Sequence, residues 1–397
     1  MSVEDGRRVQ AGVRKRWTHH SRHDRVASPH RSEWLQESAP ASAGSPREMS
    51  TTRLISLDGS VGEGGGQILR TALSLSLLTG QGFRIAQIRA NRDRPGLRPQ
   101  HLAAVEAAGK LAQADITGAS VGSRSLIFRP DAYVPQDLSI DVGTAGSTAL
   151  ILHTLHLPLA LRTDEAIRLT LNGGTFNMAA PSFPFLDATW RAHLRAIGAP
   201  IALSMPRAGF YPKGGGELSA WIEPANLKPL IAIDRGPLVR VRGIAGVANL
   251  RPDIAVRMRD RAEARLADFG IRAEIELSKW ESPGQGAAIG LIAEYEGCVP
   301  ATFSGLGEIG KPAEAVADDA VDELLAFEAS KGAAVDPHSA DQILLPLALT
   351  PGRSEYTVSE VTDHLRTNAE TIKAFLLERS ITVEEAEGDR PGRVIIA

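Results

Sequence analysis

The 397-residue chain holds one cysteine, Cys298, which excludes an intrachain disulfide and any cysteine-built metal cluster. A reducing cytoplasm is the compartment that fits this usage. Aromatic side chains make up only 5% of the residues, and nowhere do they interleave with basic ones into a platform for stacking a long nucleic-acid strand. No apolar run approaches the roughly 18 residues needed to cross a bilayer, and the first residues lack the apolar core of a secretion signal, so no membrane partner is expected. Neither sign of charge dominates. With a formal net charge of −3, nothing attracts nucleic acid in general, and a polyanion site has to be local. What is present is 43% hydrophobic and 23% charged residues, enough for a well-buried core and two domains.

Residues 1–50 mix Arg, His, Ser, Pro and Ala without apolar periodicity, a composition that cannot offset the entropy of ordering and predicts disorder. His19, His20, His23 and His30 in this tail suggest metal or simple solvation, and a flexible tail favours solvation. Met49 stands just before the first strand signal, Thr51-Thr-Arg-Leu-Ile-Ser-Leu-Asp58. A chain lacking the first 48 residues is therefore expected to keep full activity.

The stretch Asp58-Gly-Ser-Val-Gly-Glu-Gly-Gly-Gly-Gln-Ile-Leu-Arg70 crowds five glycines between a strand and a helix. Such a turn is either a tight connection or a cradle in which backbone amides and a helix N-terminus point at an anion. The architecture repeats. Asp141-Val-Gly-Thr-Ala-Gly-Ser-Thr-Ala-Leu-Ile precedes the apolar run Leu150–Leu161, and Pro337-His-Ser-Ala-Asp-Gln-Ile-Leu-Leu-Pro-Leu-Ala-Leu349 forms a third copy. In each copy a strand-rich segment follows (83–89, 167–171, 355–358), then a polar loop opening a second helix near Pro99, Ala180 and Thr367. The period is roughly one hundred residues. Between the second and third copies, residues 235–331 read as strand (239–244), long amphipathic helix (254–269), two strands (271–277 and 288–295) and helix (313–330), a small inserted α/β domain whose apolar helix faces are core. The repeats account for residues 51–234 and 332–397.

Chemistry concentrates in the polar loops. Arg89, Arg92, Arg94 and Arg98 precede a helix whose first turn contains Pro99, Gln100 and His101; the guanidinium forks are either solvated or placed for bidentate phosphate binding. Lys213 in a Lys-Gly-Gly-Gly turn adds a cation or belongs to a plain hairpin. His364 lies just upstream of a helix announced by the capping-box pattern Thr367-x-x-Glu370. An imidazole there is a cap, a core residue, or a nucleophile able to attack phosphorus and leave again.

Six ordered motifs, Gly-Glu-Gly-Gly-Gly-Gln-Ile-Leu-Arg70, Ile-Arg-Ala-Asn-Arg-x-x-Pro-Gly-Leu-x-x-Gln-His101, Asn-Gly-Gly-Thr175, Gly-Phe-Tyr-Pro-Lys-Gly-Gly-Gly216, Ala-Asp-Gln342 and His-Leu-x-Thr-Asn368, together resemble the RNA 3′-terminal phosphate cyclase family from about residue 53 to the C-terminus. The resemblance implies an α/β (α+β) fold: three repeated units of two helices on a four-stranded sheet, plus an inserted small thioredoxin-like domain. It implies ATP-dependent conversion of an RNA 3′-phosphate to a 2′,3′-cyclic phosphate through a histidine-AMP intermediate on His364 and an RNA-adenylate. Gln100, Asn177, Pro181, His338, Asp341 and Gln342 would surround the nucleotide. Arg70, Arg89, Arg92 and His101 would hold phosphates or the RNA end, and Glu63 a Mg2+ or Mn2+ ion. The partners implied are ATP and RNA bearing a 3′-terminal phosphate, with a homodimer as the default assembly. Phe176 and His338 depart from the family pattern, which carries an acid at the first place and often an aromatic at the second, so the adenine pocket is where this chain is expected to differ. Two other readings share the repeat unit: a non-catalytic relative acting in ribosome assembly, which would lack the nucleophilic histidine, and an enolpyruvate-type transferase acting on a small phosphorylated metabolite without covalent nucleotide.

Overall fold

The computed structural model describes residues 53–62, 65–330 and 332–397. The N-terminal tail, the start at Met49 and Glu63 lie outside these residues.

Three units repeat one topology. The first runs β1 (Ile55–Asp58), α1 (Gln67–Thr79), β2 (Phe83–Ala86), α2 (Pro99–Ala112), β3 (Asp115–Thr117) and β4 (Leu126–Arg129), with sheet order β1-β2-β4-β3. The second runs β5 (Leu138–Asp141), α3 (Thr148–Leu161) and β6 (Ile167–Gly173). It continues through α4 (Phe183–Phe185), a π-helical turn at Leu186–Trp190 and α5 (Arg191–Ala196) to β7 (Ile201–Arg207) and β8 (Gly216–Ile222), in order β5-β6-β8-β7. In each unit the first two strands are parallel, which requires a crossover, and the helix supplies it.

The third unit begins earlier than its sequence signal. A two-residue strand, β9 (Ile231–Ala232), pairs in parallel with β14 (Ser354–Val358), so the whole insert lies inside the third crossover. The insert comprises β10 (Leu238–Ala248), α6 (Asp253–Asp268), β11 (Ala273–Lys279), β12 (Gly286–Tyr295), β13 (Ala301–Leu306) and α7 (Ala313–Ala329). Its sheet, in order β11-β10-β12-β13, shares a separate core with both helices; β13 is a strand the sequence pattern missed. The crossover then resumes as α8 (Pro337–Ala340) and α9 (Leu344–Ala348), a helix broken at Asp341–Ile343, before β14, α10 (Asp363–Phe375), β15 (Ile381–Glu384) and β16 (Gly392–Ile396).

One apolar core joins the three units, drawing Leu73 from α1, Leu155 from α3 and Ile372 from α10. Helix α1 is buried almost all round, as a helix at the centre of a multi-layer fold must be, and truncating Leu73 to Ala is worth about 2–5 kcal/mol. None of the helices among the described residues is long and apolar enough to cross a membrane. The departure at Phe176 has a packing reason: its ring lies flat on Phe210 at 4.8 Å and 2°, and 4.8 Å from Trp280. Trp280 follows β11, so the aromatic stack joins the insert to the second unit.

Candidate active site

Helix starts from all three units converge on one cleft of about 1160 Å³. At its floor is the glycine loop. Gly66 caps α1, and a Cβ there would overlap Nε2 of His101 and come within 3.1 Å of Nη1 of Arg70. A Cβ on Gly65 would make only ordinary contact, 3.5 Å from Nη2 of Arg92. Gly62, at φ +62°, lies against the hydroxyl of Thr367 on α10, so glycine is needed there for conformation and for space.

Helix α10 begins at Asp363, with the Thr362 hydroxyl accepting from the Leu365 amide at 3.2 Å. This corrects the expected start at Thr367. Thr367 and Glu370 lie inside the helix, and His364 occupies the first turn rather than the loop before it. Its Nδ1 is 2.7 Å from Oε1 of Gln67, the first residue of α1, while Nε2 of Gln67 donates to Oδ2 of Asp341 at 2.6 Å. Because that amide nitrogen donates to the carboxyl, its oxygen faces the imidazole and the proton belongs on Nδ1, which leaves the lone pair on Nε2. Asn368 ties the same corner together, donating to the Asp341 carbonyl at 2.7 Å and accepting from Thr71 at 2.7 Å. Burial pushes the Asp341 carboxyl above its ordinary range; His364, Arg70 and the Gln67 hydrogen bond pull it back.

Facing this corner are the cations. Burial lowers Arg70 to about 10, opposed by Asp341, so it stays charged at neutral pH. His101 accepts from the Arg98 amide through Nδ1 at 3.1 Å. Burial, then the charges of Arg70, Arg89 and Arg98, depress it to about 3, which keeps Nε2 protonated and the ring neutral, a donor aimed at Gly66. Arg89 braces its own loop as well as lining the cleft. At φ 55° it folds back, and its Nη1 donates to the carbonyls of Arg94 and Gly96 at 2.6 and 3.2 Å. It lines the cleft while holding the shape of the loop that carries Arg92. Asn91 fastens that loop to the glycine loop, donating to the Ser60 carbonyl at 2.8 Å.

Eleven of the residues selected from sequence line this cleft, Arg70, Arg89, Arg92, Gln100, His101, Asn177, Pro181, His338, Asp341, Gln342 and His364, whereas Arg94 and Lys213 are not part of its lining. Several already have partners. Gln100 accepts from the Ser147 amide at 2.8 Å and Asn177 donates to the Ala145 carbonyl at 2.6 Å, so both pin the loop before α3. His338 stands at the mouth, 3.3 Å from Glu323, whose hydrogen bond, with the charges of Asp336 and Asp341, raises it above an ordinary imidazole. Asp319, Asp322 and Glu323 of α7 also line the cleft, giving it carboxylates on the insert side and guanidinium groups on the glycine-loop side.

The sequence reading missed Gln67, although it sits inside the glycine motif, and it missed a second cavity of about 70 Å³ lined by Arg70, His153, His156, Trp190 and Gln342. Both ring nitrogens of His156, Nε2 of His153 and Oε1 of Gln342 are buried without a protein partner. A polar space of that size holds about two water molecules.

Similarity to other proteins is extensive. The family described as RNA 3′-terminal phosphate cyclase matches residues 61–381. A Koribacter versatilis protein named RNA 3′-terminal phosphate cyclase is 43% identical over 345 residues, covering 87% of this chain and 95% of its own. Proteins of the same name from Caldivirga maquilingensis (43% over 329 residues; 81% of this chain, 93% of its own) and Methylococcus capsulatus (44% over 335 residues; 82% and 92%) are alike throughout.

Proposed function

The chain belongs to the RNA 3′-terminal phosphate cyclase family, and from that premise we propose that it is an ATP-dependent enzyme of the ligase class that converts an RNA 3′-terminal phosphate to a 2′,3′-cyclic phosphate. The observation that carries the reading is the chain Asp341, Gln67, His364, with hydrogen bonds of 2.6 and 2.7 Å. It ends on an imidazole that opens into the arginine-lined cleft.

In the first step the lone pair on Nε2 of His364 attacks the α-phosphorus of ATP. The N–P bond forms, the bond to the bridging oxygen breaks, and pyrophosphate leaves. The ring becomes cationic as it does so, and the Nδ1 proton stays hydrogen-bonded to Gln67, whose amide dipole is held by Asp341. That is electrostatic stabilisation of charge where it develops. In the second step an oxygen of the RNA 3′-phosphate attacks the same phosphorus and the N–P bond returns its electrons to Nε2. In the third the vicinal 2′-hydroxyl oxygen attacks the RNA phosphorus, its proton passes to solvent, and AMP departs from the cyclic phosphate. Adenylylation replaces a poor leaving group with a good one, and the protein contributes mainly position and charge.

Gln342, whose Nε2 donates to the His338 carbonyl at 2.7 Å, lines the cleft with Asp341 and would border the nucleotide. The space kept by Gly66 leaves the His101 and Arg70 donors close to a phosphate. A Mg2+ or Mn2+ ion would neutralise the triphosphate, bound largely through phosphate oxygens and water. Among the described residues no group of three or more His, Cys, Asp or Glu side chains could hold a metal, and Glu63 lies outside them.

Incubation with α-labelled ATP and a divalent ion tests the reading. Label stable to alkali, labile to acid and absent from His364→Ala is expected. Label retained by that variant removes His364 from the role, and no label on the parent protein favours a non-catalytic or metabolite-transferring relative.

A further inference from the structure

Two large apolar side chains stand out in solvent on the cleft, Tyr211 at 81% and Met178 at 62% exposure. Each comes from a loop fastened to the same residue of the second unit. Asn177, just before Met178, donates to the Ala145 carbonyl at 2.6 Å. Gly214, in the turn that carries Tyr211, packs so closely that a Cβ on it would lie 2.7 Å from Cα of Ala145. The turn is rigid at its root: the Gly214 amide donates to the Phe210 carbonyl at 2.7 Å, and the Phe210 ring is buried in the stack with Phe176. The Ala145 loop in turn adjoins the helix start bearing Arg98 and His101, through the 2.8 Å bond from the Ser147 amide to Gln100. An exposed aromatic on an anchored turn therefore borders the same cleft as a set of guanidinium groups.

We propose that Tyr211, with Met178 lining the same cleft, is a stacking shelf for a nucleobase near the 3′ end of the RNA, a subsite separate from those for the terminal phosphate and for ATP. The proposal rests on the cyclase reading above. A π-face accepts any base, so such a shelf adds affinity without sequence preference, and a guanidinium-lined wall nearby neutralises the backbone of the strand it holds. A short RNA end is enough to use it, which agrees with a chain that is 5% aromatic and carries a formal net charge of −3.

The test compares the parent protein with Tyr211→Ala and Tyr211→Phe on 3′-phosphorylated oligonucleotides, intact or with one abasic residue walked through the last three positions. Tyr211→Ala is expected to raise KM for intact RNA about 5- to 100-fold, and Tyr211→Phe to restore it. At one position the abasic RNA should raise the parent's KM similarly and erase the difference between parent and Tyr211→Ala. Labelling of His364 by ATP, which needs no RNA, should be the same in all three proteins. An unchanged KM in Tyr211→Ala, or an equal rise on intact and on every abasic RNA, overturns the shelf. So does dissociation of a dimer by Tyr211→Ala in sedimentation, which would assign the ring to a contact between copies of this chain. Absence of label in the parent would instead overturn the cyclase reading itself.

Discussion

The amide oxygen of Gln67 lies 2.7 Å from Nδ1 of His364, joining the first residue of α1 to the first turn of α10. The contact fixes both the ring's orientation and its tautomer, in the way a carboxylate fixes a catalytic imidazole elsewhere, here with Asp341 acting through the intervening amide. Replacing Gln67 by Ala leaves water to bind Nδ1 and frees the ring to rotate. The expected outcome is a loss of about 10- to 100-fold in the rate of covalent labelling by ATP, with little change in the ATP concentration for half-saturation, because positioning within a bound complex is what is lost. Rapid-quench labelling at saturating ATP measures it; a pure rise in KM would place Gln67 among the nucleotide contacts instead.

Neighbouring glycines of the loop should respond in opposite ways. Gly66→Ala drives a methyl into His101, which is buried and pinned by the Arg98 amide, and toward Arg70. Neither neighbour can yield without leaving its place in the cleft lining, so activity should fall by at least about 100-fold, comparable to losing an oxyanion donor. Among the described residues Gly65→Ala meets only Arg92, at 3.5 Å, ordinary van der Waals separation, and should stay within a few-fold of the parent. Turnover of the pair, alongside their thermal midpoints, checks whether space at one position governs the loop.

Arg89 and Arg92 share a loop, and their variants are expected to differ. Arg92→Ala is expected to weaken binding of 3′-phosphorylated RNA and to lower the slope of log affinity against log salt by about 0.7, the amount one single-strand phosphate contact contributes. Arg89→Ala removes the donor to the Arg94 and Gly96 carbonyls, so it should also make the loop of residues 87–97 more open to proteolysis. Equal protease resistance in both variants would return Arg89 to a simple phosphate contact.

Much of this arrangement was legible in the sequence because its parts are local. The glycine loop, the arginine loop and the broken third copy of the first helix each announce themselves within about a dozen residues, and they recur at equivalent points of the repeat. What could not be read was non-local or too short to carry a period. Strand β9 is two residues long and gains its identity only by pairing with β14. Strand β13, Ala-Thr-Phe-Ser-Gly-Leu, has no clean alternation because it is packed on both faces. Thr362 and Thr367 both begin plausible caps, and only the packing of Leu365 and Ala369 in the core decides for the earlier one. The role of Gln67 depends on a partner 297 residues away, and the backward fold of Arg89 on a positive φ that nothing in its neighbours demands.

Acid should unfold this protein through its buried imidazoles. His156 and His193 are 1% and 3% exposed, and burial depresses them to about 3 and about 4, whereas an unfolded chain holds them near 6.5. Between those values the unfolded state binds the proton and the folded state does not, so stability is constant above about pH 6.5 and falls as pH drops below it. The loss is up to about 1.4 kcal/mol per pH unit for each histidine. The double variant His156→Leu, His193→Leu removes both protonation sites along with three buried nitrogens that lack a protein partner. Its urea midpoint should therefore decline less than the parent's between pH 7 and pH 5, with a proton uptake on unfolding that is smaller by about two. Parallel declines in the two proteins would shift the acid sensitivity to His101 and His153, which burial also depresses to about 3. The carboxylates of the insert, Glu294, Glu314 and Asp318, are held below their usual range first of all by hydrogen bonds from Arg240, Arg257 and Arg261. Their contribution is intact above the ordinary carboxylate range and is lost only as pH falls through and below it, outside the window of this comparison.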